Sequence, residues 1–351
     1  MSIFFLMATV LLEIPFSKKV GQLGRTEIYP FNFVTFQLQL VTFRINQLSY
    51  SIKRFIMQES FYRSLLTYSY NIVGSLEDAR DLVQDTMEKY IGLDKSTIQN
   101  ERSYLIKSVI NLSINFKKRS EKFSKYGIWL PEPIATEETD AHLIKRQVAN
   151  YSLLVLFEEL NPKERAVFML KESFNYKHDE IAKVLDISVE NSRKLYSRSK
   201  KHLAQTEIKK DLPPKNCMAP YIDALMEGDT DKLETLFADD IALMADGGHT
   251  VKVVTRITEG KERTAELMQY VYAMFLNGKE CVFNYINHQP ALWFKNNGKV
   301  ISCMVFQFDN EKKFKNIYSI VDPDKLNSLY LRNEGFNGNK IDKLLSSLNP
   351  N

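Results

Sequence analysis

Apolar residues fall at helical spacing from Phe61 to Leu203, and the last third of the chain adds short alternating or apolar runs of strand type. Phe61, Leu65, Leu66, Ser69, Ile72 and Val73 share one face of a helix that stops at Gly74. Ser75 then caps a second helix with Asp78 at its third position. The second helix has an apolar stripe of Ala79, Leu82, Val83, Thr86 and Tyr90, opposed by Asp78, Asp81, Gln84, Asp85 and Glu88. An acidic stripe of this kind is either a solvated face or a dock for a basic partner. A third helix, Ser103 to Phe116, is predicted to bury Leu105, Val109, Leu112 and Phe116. Lys107, Asn111 and Asn115 share another of its faces, and Lys117, Lys118 and Arg119 follow.

From Leu160 to Leu203 the pattern predicts a helix-turn-helix. Asn161 is the N-cap, Pro162 takes the first helical position, and Glu164 is placed to close a capping box. A short helix over His178 to Leu185 offers Ile181, Ala182 and Leu185 to a core. The turn through Asp186 follows, and Ser188 caps a last helix. That helix packs Val189, Ser192, Tyr196, Ser199 and Leu203 and leaves Asn191, Arg193, Lys194, Ser197, Arg198, Lys200 and Lys201 on its other faces. Such a surface suits a recognition helix, which neutralises phosphates and offers donors to base edges; a solvated basic bundle face is the alternative.

After Pro213 and Pro214, helices are predicted from Met218 to Phe237 around Gly228 and Asp229, and a short strand over Asp239 to Met244. A helix over Thr264 to Leu276 precedes strands at Ala291 to Lys295, Val300 to Phe308 and Phe314 to Val321. Asn296-Asn297-Gly298 and Asp309-Asn310 supply the turns. Helices followed by a curled antiparallel sheet describe a cone-shaped α+β fold.

The net charge is +4 over 351 residues, but it is uneven. Arg193 to Lys210 carries seven Lys and Arg against one Glu, and Glu101 to Lys125 seven against two. The intervening run from Glu132 to Asp140 carries four acids and no base, so two separate contacts with a polyanion are indicated. Three cysteines and five histidines fall in no disulfide or metal-ligand spacing, which predicts neither metal nor cofactor and a cytoplasmic location. Ser2 to Phe16 is apolar but too short to span a membrane and lacks the basic start of a signal peptide. Phe31 to Ile45 has partial strand alternation without an obvious partner; translation is expected to begin at Met57.

The combination resembles a bacterial extracytoplasmic-function sigma factor, the RNA polymerase subunit that selects promoters. The residues that carry it are Gly74-Ser75 with Asp78 to Asp85, Leu160 to Phe168, Asp179 to Ala182, and Ser197-Arg198 through Leu203. Trp129-Leu130-Pro131-Glu132-Pro133 is similar to the linker signature of the subgroup with a C-terminal SnoaL-like domain. The resemblance implies a multidomain chain: all-α sigma region 2 and region 4, then an α+β cone of SnoaL or NTF2 type. The expected bounds are an extension over 1–56, region 2 over 57–125, a linker over 126–141, region 4 over 142–210, a SnoaL-like domain over 216–333 and a terminal segment over 334–351.

By position, Asp81, Gln84, Asp85 and Glu88 would bind the β′ clamp helices of core RNA polymerase, with region 4 at the β flap. Lys107, Asn111, Asn115, Lys118 and Arg119 would open and read the minus-10 element of promoter DNA. Asn191, Arg193, Lys194, Ser197, Arg198 and Lys201 would read the minus-35 element. Two departures stand out: the family often has Arg or Lys at Asn111, and Gly at Asp186, which must then take a left-handed conformation itself.

Trp129, Leu130, Pro131, Glu132 and Pro133 are expected to meet Asp246, Gly247 and Gly248, and Asp322, Pro323, Asp324, Lys325 and Leu326, in a regulatory contact. Asp246-Gly247-Gly248-His249 departs from the subgroup's DGGGK, with a Lys only at Lys252, and Asp322 to Leu326 matches its closing NPDKL in part. On this reading the chain is no enzyme, and the last domain governs the two DNA-reading regions in cis. Its cavity leaves room for an unidentified small ligand. The competing reading is a SnoaL-type isomerase or cyclase fused to a DNA-binding module, with Asp246, His249, Tyr270, Tyr272 and Tyr285 as acid, base or donor candidates. A response regulator is excluded, because no βα alternation with an acidic pocket precedes the helix-turn-helix.

Overall fold

The structure, a computed structural model, describes residues 59–94, 98–120, 127–136, 147–203 and 215–329, together with Ser96, Leu143 and Ile144. The expected extension over 1–56 and the terminal segment over 334–351 lie outside the described residues. Helix α1, described over 59–73, turns at Gly74 (φ +79°) into α2, Leu76–Ile91. Ser75 Oγ accepts the Asp78 N–H at 3.2 Å, so the predicted cap sets the start of α2. The predicted stripe of Ala79, Leu82, Val83, Thr86 and Tyr90 is buried, joined by Leu76 and Met87.

Helix α3, Glu101–Ser120, is longer than its periodicity indicates and buries a different set: Leu105, Val109, Ile110, Ser113, Ile114 and Lys117. Leu112 and Phe116 are only half-buried against the same core. The rotation turns Lys117 inward, the first residue of the cationic run that the pattern placed after this helix.

A short helix α4, Tyr151–Leu156, and a 3₁₀ turn, Phe157–Glu159, lead into the helix-turn-helix: α5 Pro162–Glu172, α6 His178–Leu185 and α7 Val189–Leu203. Asn161 Oδ1 accepts both the Lys163 and Glu164 N–H groups at 3.1 and 3.0 Å. The reciprocal bond expected of Glu164 forms one helix later, where Glu180 accepts the Lys177 N–H at 2.6 Å. Asp186 takes the left-handed conformation (φ +53°), and Ser188 Oγ caps α7 through the Asn191 N–H. Leu195, absent from the predicted face of α7, is buried beside Ser192, Ser199 and Leu203.

The C-terminal domain begins with α8, Ala219–Glu227, and α9, Thr230–Leu236, joined through Gly228 (φ +71°) and the Asp229 cap. Strand β1, Phe237–Asp246, the two-residue β2, Thr258–Glu259, and α10, Lys261–Val271, follow. A π-helical turn, Tyr272–Leu276, ends α10. Strands β3 Glu280–Ile286, β4 Gln289–Asn296, β5 Lys299–Phe308 and β6 Phe314–Ile320 complete one sheet in the order β2-β1-β6-β5-β4-β3, with only β1 and β6 parallel. Strands β2 and β3 went unread in the sequence. A single helical turn α11, Pro323–Leu326, closes the domain.

The sheet is apolar on both faces, as the unbroken burial of β4 from Gln289 to Phe294 shows. Leu292, Phe294, Met304, Phe306 and Ile317 pack under α8, α9 and α10. The alternate residues Ala291, Trp293, Cys303, Val305, Tyr318 and Ile320 face Leu130 and Ala135 of the linker and Tyr151 of α4. A second hydrophobic core therefore lies between the sheet and the helical part.

Candidate functional site

Asp81, Gln84, Asp85 and Glu88 are exposed on α2, opposite its buried stripe. Asp78 is not part of that open face. It is half-buried, and burial raises its carboxyl above the usual range, with Asp81 adding to the rise and Ser75, Lys117 and Lys325 opposing it. The α2 N-terminus is closed by a residue from the linker: Glu132 Oε2 accepts the Leu76 N–H at 2.5 Å and the Glu77 N–H at 3.4 Å. A carboxylate at that end also meets the favourable pole of the helix dipole.

On α3, Lys107, Asn115, Lys118 and Arg119 are exposed. Asn111 is half-buried, and its Nδ2 donates to the Lys107 carbonyl at 2.9 Å and to the Val184 carbonyl of α6 at 3.3 Å. The helix expected to read single-stranded DNA thus touches the helix-turn-helix. Tyr68 of α1 strengthens the same packing, stacked on Phe174 at 3.9 Å and hydrogen-bonded to Tyr176 at 3.0 Å.

On α7, Asn191, Arg193, Lys194, Ser197, Arg198 and Lys201 are all exposed. The helix is held from behind: His178 Nδ1 pairs with Ser192 Oγ at 2.9 Å, and the Tyr196 hydroxyl donates to the Glu172 carboxylate. Burial, with Lys171 and Arg193 adding, lowers the His178 pKa, which favours the neutral imidazole. Lys194 is engaged by Glu190 one turn earlier at 2.7 Å, a surface pair that a phosphate can displace at small cost.

Among the described residues, the helical part and the C-terminal domain meet at the linker. Leu130 is fully buried against the sheet, and its N–H donates to Asp246 Oδ2 at 2.7 Å. Asp246 also receives the Gly248 N–H on Oδ1 at 2.9 Å and the Lys325 ammonium on Oδ2. Lys325 in turn donates to the Leu130 carbonyl at 2.6 Å, so one tail carboxylate and one tail ammonium grip both backbone groups of Leu130. Pro131 accepts the Tyr151 hydroxyl at 2.6 Å, and the Glu132 carbonyl accepts the Tyr70 hydroxyl at 2.8 Å. Pro133 is buried beside them.

The two glycines after Asp246 are required by proximity: a Cβ on Gly247 would lie 2.0 Å from the Val251 carbonyl oxygen, and one on Gly248 2.5 Å from the Asp322 carboxylate. Asp322 caps α11 through the Asp324 N–H at 3.1 Å. Pro323 and Asp324 are exposed there, and Leu326 is buried in the second core.

Two ammonium groups lie over the Trp129 ring, Lys117 of α3 at 4.3 Å and Lys325 at 4.4 Å from its centre. Lys117 continues to Glu158 at 2.7 Å, and Glu158 to the fully buried Arg165 at 2.7 Å. Although burial opposes ionisation of Glu158, Arg165 and Lys117 together hold its carboxyl below the usual range.

The strongest polar link was not legible in the sequence. Asn287 and His288 form the β3–β4 turn with φ of +46° and +63°, and Asn287 is fully buried. Its Oδ1 accepts the Ile134 N–H at 2.9 Å, and its Nδ2 donates to the Tyr70 hydroxyl at 2.8 Å and the Ala149 carbonyl at 3.1 Å. Its backbone N–H donates to Ile134 at 2.8 Å and its carbonyl accepts from Tyr151 at 3.2 Å. Beside it, Gln289 Oε1 accepts the Ser152 N–H at 2.6 Å. Asn-His in a turn is an ordinary signal, and only the fold reveals what the turn enters.

Of the acid, base or donor candidates, Tyr285 is buried in β3, and His249 and Tyr270 are exposed. The cone interior is filled by Tyr221, Phe237, Phe306 and Phe314, whose rings lie 5.2–6.4 Å apart. A cleft of about 350 Å³ opens instead beside α8, lined by Ile222, Leu225, Met226, Tyr272, Cys281 and Phe294 among others. Among the described residues no cluster of metal-ligating side chains occurs, and no helix is long and apolar enough to cross a membrane.

The family Sigma-70 region 2 matches residues 57–123, and Sigma-70, region 4 matches residues 151–203. The ECF RNA polymerase sigma factor SigJ of Mycobacterium tuberculosis strain H37Rv is 26% identical over 220 residues, covering 60% of this chain and 70% of the relative. A probable ECF RNA polymerase sigma factor SigI of the same species is 24% identical over 199 residues, covering 54% and 69%. The crystal structure of M. tuberculosis SigJ superposes with a TM-score of 0.64 at 21% identity, covering 78% of this chain and 98% of that one, which establishes the shared fold.

Proposed function

We propose that the chain, which matches Sigma-70 regions 2 and 4, is an extracytoplasmic-function sigma factor whose last domain is a clamp, holding the promoter-reading regions together until polymerase and promoter separate them. The observation that carries this reading is the Asn111–Val184 bond, which sets the minus-10 helix α3 directly against the helix-turn-helix. The two promoter elements are more than one duplex turn apart, at ~34 Å per turn, so a chain with these surfaces in contact does not span both. Opening is required, and the Asp246–Lys325 grip on Leu130, the Asn287 turn and the second core all resist it.

In the open chain, Asp81, Gln84, Asp85 and Glu88 dock on the β′ clamp helices and region 4 meets the β flap. Lys107, Asn111, Asn115, Lys118 and Arg119 then hold the minus-10 strand, and the exposed face of α7 enters the minus-35 major groove. The last domain has no chemistry of its own in this account. Asp246, its best-placed carboxylate, has both oxygens committed to structural partners.

Run-off transcription with purified core polymerase tests the reading. The full chain is expected to direct initiation from a specific promoter, and Lys325→Met, which loosens the clamp, to do so at severalfold lower protein concentration. An absence of specific initiation, or a Lys325→Met protein less active than the parent while still folded, contradicts it.

A further inference from the structure

Aromatic rings fill the interior of the cone, but its flank is open. The cleft of about 350 Å³ beside α8 has apolar walls from Ile222, Leu225, Met226, Tyr272 and Phe294, and Cys281 stands among them. A volume of this size is in the range of pockets that take small molecules, and such pockets combine apolar walls with a few convergent polar groups. Two polar groups converge here.

The first is a cation. Lys279 lines the cleft and is half-buried; its ammonium donates to the neutral Asn296 Oδ1 at 3.3 Å and, among the described residues, pairs with no carboxylate. The nearby acids are committed elsewhere: Glu280 faces Lys295 at 3.8 Å, and Glu227 of α8 holds Lys232 at 2.9 Å.

The second is a hydroxyl. Tyr221 precedes Ile222 on α8 and stands one turn before Leu225. It is fully buried, and its hydroxyl has no hydrogen-bond partner among the described residues. Burial raises its pKa and Cys281 adds to the rise, which sets the hydroxyl toward the wall of the cleft that Cys281 forms. Ser302, buried and likewise without a partner, lies across from Phe294 in the sheet, and Phe294 across from Cys281. A buried hydroxyl without a partner forfeits the hydrogen bonds it makes in water, so a ligand oxygen that reaches it is bound favourably.

We propose that this cleft binds a small carboxylic acid with an apolar body and a second oxygen at its far end. The carboxylate meets Lys279, the body packs on Leu225, Met226, Tyr272 and Phe294, and the second oxygen accepts from Tyr221. The site stands apart from the clamp reading and lies on the flank of the cone, outside its packed interior.

The test follows alkylation of Cys281 by a maleimide in the full chain, read by mass spectrometry of the Cys281 peptide. Cys281 is exposed, whereas Cys217 is half-buried and Cys303 buried. Decanoate is expected to slow the alkylation, and ω-hydroxydecanoate to do so at severalfold lower concentration. Tyr221→Phe removes a hydroxyl that has no partner, so its thermal melt is expected to match the parent's. It is expected to abolish the advantage of the hydroxy acid and to keep protection by decanoate. Lys279→Met is expected to weaken protection by both acids severalfold.

Failure of both acids to protect Cys281, equal potency of the two on the parent, or an advantage of the hydroxy acid that survives Tyr221→Phe overturns the proposal. So does a Lys279→Met protein protected by both acids as well as the parent is.

Discussion

The side-chain amide of Asn287 donates to the hydroxyl of Tyr70 at 2.8 Å across 217 positions of sequence, joining the tip of a tail hairpin to the first helix of region 2. The same amide serves Ile134 and Ala149, so its bonds reach the linker and the approach to α4 as well. Asn287→Ala removes all three and leaves buried groups unpaired, at ~1–3 kcal/mol for each such group. It is expected to lower unfolding stability by about 3 kcal/mol in urea denaturation, while the same change at half-buried His288 costs far less.

Gly74 has φ of +79°, and a Cβ placed on it would lie 2.8 Å from the Trp129 ring. Gly74→Ala is expected to strain the turn by ~1–2 kcal/mol and to expel the ring from its place beside Lys117 and Lys325. Trp129 and Trp293 are the two tryptophans, and Trp293 is buried. A red shift of the fluorescence, assigned to Trp129 by repeating the measurement in Trp293→Phe, checks the outcome.

Glu158 links α3 to α5, and its folded carboxyl titrates lower than its unfolded one because Arg165 and Lys117 outweigh its burial. Its stabilising contribution is complete above the ordinary value of 4.5 and is lost as pH falls through the lower folded value. Melting temperatures from pH 7 to pH 3 are expected to fall steeply at the acid end. Glu158→Gln is expected to be less stable at neutral pH and to show a shallower acid loss.

On α7, Arg198→Ala and Lys201→Ala are expected to weaken duplex binding alike for all sequences, each reducing the salt slope by about 0.9. Asn191→Ala and Arg193→Ala are expected instead to change which bases are preferred. Binding titrations against a library of single-base minus-35 variants separate the two effects.

Local chemistry carried much of the architecture. The caps at Ser75, Asn161 and Ser188, the left-handed Asp186 and the Asn297-Gly298 hairpin turn each depend on a few neighbouring residues, and each is legible as such. Lys117 and Asn287 were not, because a lysine in a basic run reads as surface and an asparagine in a turn reads as a turn. Their burial depends on partners 41 and 217 positions away. The inward rotation of α3 and the strand β3 were missed for the same reason: the surfaces that bury them belong to other parts of the chain.

On the clamp reading, α3 and the helix-turn-helix touch in the free chain and part when the promoter is engaged. Fluorescence energy transfer between site-specific labels at Glu101 on α3 and Lys183 on α6, both exposed, measures this directly. One short-distance population is expected for the protein alone, and a second, longer by on the order of a duplex turn, ~34 Å, once core polymerase and promoter are added. A short distance that persists in a transcribing complex contradicts the account.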